Sequence, residues 1–133
     1  MISWISKKQS SVALNTSEAK YIAVCSTSCE AIWLQKLLSD LFDLEMDATM
    51  ILSDNQSCMK MTEKPMFHDK MKHIEICYFY IHDMVHKGAI KLQYLSTNEQ
   101  VADVFSKPLS HVKFEHFQDK LGVVHKEFPW NRE

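Results

Sequence analysis

Ile22, Cys25, Cys29, Ile32, Trp33, Leu37 and Leu41 recur every three or four residues and draw one apolar stripe along a long amphipathic helix. The helix is expected to open at Thr16 or Ser17, with Ser17 as N-cap and Glu18 in the first turn. A brief apolar run, Thr49-Met50-Ile51-Leu52, then stops at Asp54-Asn55-Gln56-Ser57. That pattern fits a buried strand followed by a short helix to Thr62.

Beyond Pro65, Ile74, Cys77, Tyr78, Ile81 and Val85 share one face of a second helix from His73 to His86, with Gly88 placed to cap it. Ile90-Lys91-Leu92-Gln93-Tyr94 alternates apolar and polar, as a half-buried strand does. Thr97 with Gln100 has the form of a capping box opening a further helix, ended near Lys107 by Pro108. Phe114, Phe117 and Leu121 mark a last helical piece closed by Gly122, and His125 to Glu133 reads as a tail. At the other end, Ile2 and Trp4 on one side and Val12 to Leu14 on the other flank the polar stretch Ser6 to Ser11 and suggest the end of a strand running into a loop.

Strands alternating with helices predict an α/β sheet, in which ligand sites gather at the carboxyl ends of strands. Asp54 stands at such an end. With only two Gly and three Pro in 133 residues and no repeat, nothing divides the chain, so residues 1–124 are expected to form one domain and 125–133 its tail.

Composition narrows the chemistry. The longest uncharged stretch in the first half, Tyr21 to Cys29, is too short and too polar for a membrane helix. MISWISKKQS lacks the pattern of a secretory leader, which predicts an intracellular, reducing setting and four thiols rather than disulfides. A formal charge of −2 gives no overall attraction to nucleic acid, so such binding requires a local patch. Lys60, Lys64, Lys70, Lys72 and His73, with His68 and Phe67 among them, form one that could follow a phosphate backbone or could be a solvated loop. Cys25 with Cys29, His73 with Cys77 and His82 with His86 have i,i+4 spacing, yet none has a second pair at finger-like distance, so no zinc is expected and core packing accounts for them. On the residues alone, Asp54 would cap the turn that follows it and Asp103 would be a solvated helix charge.

Five blocks, ISWISKKQSSVALNTSEAKYIA, EAIWLQKLL, SDNQSC, KHIEICYFYI and NEQVADVFSKPL, change that reading. In order and spacing they resemble the RNase H domain of Ty1/copia-type retrotransposon Pol polyproteins, which reads approximately ISWSSKKQ, S-T-E-A-E-Y, C-D-N-Q-S-A, K-H-I-D-I-R-Y-H-F and E-Q-L-A-D-x-x-T-K-P-L. The resemblance runs from Ile2 to about Gly122. It implies an RNase H-like mixed sheet with flanking helices and hydrolysis of the RNA strand of RNA–DNA hybrids during reverse transcription. It also implies two Mg²⁺ ions about 3.5–4 Å apart, held by carboxylates.

Four acidic residues hold the metals in the family, and the last two correspond here to Asp54 and Asp103. The second Glu of E-A-E-Y corresponds to Lys20, because this chain reads Glu18-Ala19-Lys20-Tyr21. An ammonium in place of a carboxylate exchanges attraction for repulsion, on the order of 4 kcal/mol per unit charge pair at about 4 Å and an effective dielectric of about 20. Glu18 cannot substitute, since residues two apart on a helix do not share a face. The remaining ligand, an Asp on the family's first strand, falls upstream of the ISW block, so the resemblance predicts a domain lacking the first two of five strands (order 3-2-1-4-5), with an unpaired sheet edge. The expectation is therefore a degenerate fragment with any Mg²⁺ held weakly or lost. Two alternatives are a nucleic-acid or protein-binding module, and a nuclease active only when the missing strands, within the rest of a Pol polyprotein, are supplied.

Overall fold

A computed structural model describes residues 4–10, 12–13, 15–56, 59–60 and 72–124, with the side chain of His73 outside that set. The chain divides into two compact units, Gln9–Gln100 and Met1–Lys8 with Val101–Glu133.

In the larger unit, helix α1 spans Thr16–Phe42, strand β1 Thr49–Ser53, helix α2 Lys72–His86 and strand β2 Ile90–Tyr94. The strands are parallel and in register from Thr49 opposite Ile90 to Ser53 opposite Tyr94. Both therefore end at the same side of the sheet, and the chain returns between them through α2, the expected crossover. The α/β class predicted from the pattern is present. Gly88 caps α2 as expected: at φ +72°, where a side chain would be strained, it lets Gly88 N–H reach Val85 O and Ala89 N–H reach Met84 O, both at 3.0 Å.

Tyr21 and Val24 of α1, Ile74 and Ile81 of α2, Ile51 of β1 and Ile90 of β2 form the core. Burying such side chains contributes roughly 1.5–3 kcal/mol each, the main term opposing chain entropy. Only one sheet face meets this core: Ile51, Ser53 and Ile90 are buried, whereas Met50 and Leu52 are exposed. The buried strand expected at 49–52 is thus a half-buried one: Ile51 joins residues of α1 and α2 in the core, while Met50 and Leu52 stay exposed.

Of the stripe predicted for α1, Ile22, Cys25 and Ile32 pack against the core, and the rest needs correction. Cys29 is exposed, as are Leu37, Trp33 at 57% and Leu41 at 65%, while Glu18, Tyr21, Val24 and Ser28 are buried. The buried line is of mixed polarity and lies beside the apolar one. Ser28 enters it by donating its hydroxyl to Val24 O at 2.7 Å, and Gln35 extends it by donating from Nε2 to Ala89 O at 2.9 Å and to Thr49 Oγ1. Asn15, not Ser17, is the N-cap, its Oδ1 accepting from Glu18 N–H at 2.9 Å, because the chain is already helical at Thr16.

Thr97–Glu99 and Val101–Phe105 are two 3-10 segments rather than one α-helix. Ser96, not Thr97, caps the first, and Gln100 at ψ 97° is too extended to continue it. In the smaller unit, helix α3 spans His111–Lys120 and buries Phe117, whereas Phe114, predicted beside it, is exposed. Gly122 closes α3 at φ +67°, with Val123 N–H reaching Gln118 O at 3.1 Å. Trp4 stacks flat on Phe105, ring centroids 5.1 Å apart. Residues 4–9 carry no strand; Ile2 lies outside the described residues.

Candidate functional site

The carboxyl end of β1 delivers Asp54 to the first turns of α1. Lys20 reaches it there: Nζ donates to Oδ1 at 2.9 Å, with 39% of the Lys20 side chain and 15% of the Asp54 side chain exposed. Helix α1 runs antiparallel to β1, since Gln35, four turns further along, meets Thr49 at the strand's other end. Buried Tyr21 and Val24 fix the rotation of the helix, and Lys20 faces Asp54. What it presents is a cation.

Thr97 Oγ1 lies 3.5 Å from Asp54 Oδ2, at the outer limit of a hydrogen bond. The sequence pattern places Thr97 at a helix cap. Parallel pairing of β1 with β2 brings it to Asp54 across 43 positions, and no local pattern signals such a contact.

Asp103, in the smaller unit, is buried, and its carboxylate accepts from Lys107 Nζ, 3.0 Å from Oδ1 and 3.1 Å from Oδ2. The solvated charge that the residues alone suggested is corrected: Val101–Phe105 turns Asp103 inward, and Lys107, four positions on, closes over it. Both carboxylates expected to hold Mg²⁺ are therefore ion-paired to lysines. Among the described residues, no three His, Cys, Asp or Glu side chains are grouped so that they could hold a metal ion. A hard divalent cation prefers about six oxygen ligands. An ammonium 2.9 Å from Asp54 Oδ1 offers the opposite, so the residues present do not fit a two-metal site.

In the predicted basic patch, Lys60 and Lys72 are exposed, while Lys64 and Lys70 lie outside the described residues, as does the His73 side chain. Elsewhere, Cys25, Cys29 and Cys77 gather where α1 meets α2 and are free thiols. Burial, followed by contact with Cys77 and Cys29, pushes the Cys25 thiol above its ordinary range. Tyr80 is pushed up to about 12 by burial and then by Cys29. A thiol held neutral in this way is a weak nucleophile, which fits packing rather than chemistry. No helix among the described residues is long and apolar enough to cross a membrane.

The chain is 40% identical over 123 residues to the retrovirus-related Pol polyprotein from transposon RE2 of Arabidopsis thaliana, a match covering 92% of this chain. Its homologues are transposon Pol polyproteins. The polyprotein from transposon RE1 of the same plant is also 40% identical over 92% of the chain, and that from transposon TNT 1-94 of Nicotiana tabacum is 38% identical over 92%. The chain spans 8–9% of the length of these Pol relatives. No protein-family model and no solved structure matches it. At this identity the chain and the Pol segments share an ancestor, and the Lys20–Asp54 pair sits within the shared stretch.

Proposed function

We propose that this chain is an RNase H-like segment derived from a transposon Pol polyprotein, one that engages RNA–DNA hybrids without hydrolysing them. Homology to Pol polyproteins over 92% of the chain supports the origin. The parallel β1-β2 pair, with a helix before each strand, accords with the carboxyl half of such a sheet. Asp54 at the end of β1, facing α1, accords with a former metal ligand.

The observation that carries the reading is the Lys20–Asp54 ion pair. In-line hydrolysis of a phosphodiester requires metal-held water and a stabilised leaving oxygen. A lysine cannot make a metal-bound hydroxide, so the pair supports the absence of cutting. Lys60 and Lys72, both exposed, supply charge of the sign that a phosphate backbone attracts.

A labelled RNA–DNA hybrid incubated with the purified chain in Mg²⁺ and in Mn²⁺ tests this reading. No cleavage is expected, while binding should weaken steeply as salt rises. Cleavage abolished by Asp54→Asn would overturn the non-hydrolytic half. Absence of any binding at low salt would overturn the nucleic-acid half.

A further inference from the structure

We infer that Lys20 is a tethered replacement for a divalent cation, so that the larger unit folds and holds its Asp54 corner with no metal, and that a single reversal of charge at Lys20 would restore a cation site. The inference rests on reading Asp54 as a former metal ligand.

Asp54, at the end of β1, has 15% of its side chain exposed, and a carboxylate so enclosed needs a positive partner. Lys20 Nζ fills that need at 2.9 Å. Its ammonium is a compact point charge on a flexible stem, and α1 keeps it permanently at hand, so no association entropy is lost each time the pair forms. A divalent ion approaching the same oxygen meets a like charge inside its coordination distance, and Glu18, two positions away, faces elsewhere on α1. Thr97 Oγ1 near the other oxygen, Oδ2, is a neutral group that accommodates either an ammonium or a hydrated metal. The cation held at Asp54 Oδ1 is thus the ammonium of Lys20. In Lys20→Glu, two carboxylates would converge where one ion pair now stands, a number with which hydrated Mg²⁺ is commonly held.

The test is a thermal-melting and Mn²⁺-binding series on the full chain, followed by circular dichroism and by electron paramagnetic resonance of free Mn²⁺. The wild type should melt at the same temperature in EDTA, Mg²⁺ and Mn²⁺ and leave Mn²⁺ free. Lys20→Glu should melt lower in EDTA and recover by about 5–10 °C once Mn²⁺ exceeds its Kd about tenfold. Lys20→Glu combined with Asp54→Asn should lose that response. A wild-type chain that binds Mn²⁺ through Asp54 would overturn the inference, and so would a Lys20→Glu chain that stays unresponsive, folded or unfolded. Hybrid binding is not read in this series, so its failure and the failure of the functional reading remain distinct.

Discussion

The Lys20 ammonium and the Asp54 carboxylate lie 2.9 Å apart although 34 positions separate them in the chain. Lys20→Ala removes the cation from a mostly enclosed carboxylate, and the expected loss is about 1–2 kcal/mol in urea unfolding. Asp54→Ala and the double variant complete a cycle. A coupling indistinguishable from zero would mean that the pair is incidental.

Asn15 caps α1 through its side chain. Asn15→Ala should cost about 1 kcal/mol, whereas Ser17→Ala, inside the first turn, should cost little. The reverse ranking in denaturant midpoints would show that the helix starts two residues later than it does here.

Ile81 is completely buried, whereas Leu41, on the apolar stripe of α1, is largely exposed. Ile81→Ala is expected to lose about 2–4 kcal/mol and Leu41→Ala well under 1 kcal/mol. Thermal denaturation of the two variants separates the packed face from the apolar one.

The raised Cys25 thiol makes stability depend on alkaline pH. In the unfolded chain a thiol ionises near roughly pH 8.5, while the folded one holds its proton to higher pH. Its contribution is complete below that value and is lost as pH rises above it. Tyr80, pushed up to about 12, continues the trend above roughly pH 10. The urea midpoint in reducing buffer should fall over this range, and Cys25→Ala should flatten the first part of the decline.

What the sequence determined by itself is what local interactions decide. Period 3.6 between His73 and His86 and period 2 from Ile90 to Tyr94 located α2 and β2, because side-chain direction follows directly from backbone geometry. Gly88 and Gly122 were legible as caps for the same reason. The substitution of Lys20 within Glu18-Ala19-Lys20-Tyr21 was also legible, as a change of charge at a position that the resemblance assigns to a metal ligand.

Only the tertiary structure decided which face of α1 is inside and whom Lys20 meets. Trp33 and Leu41 are more apolar than Ser28 and Gln35, yet the latter two lie on the inward line because each finds a hydrogen bond that water would otherwise supply. Thr97 reached Asp54 through a chain reversal that no window of neighbouring residues contains. Hydrophobic periodicity reports how a segment would like to be buried; parallel pairing of β1 with β2 determines which segments are there to bury it and which charges are left face to face.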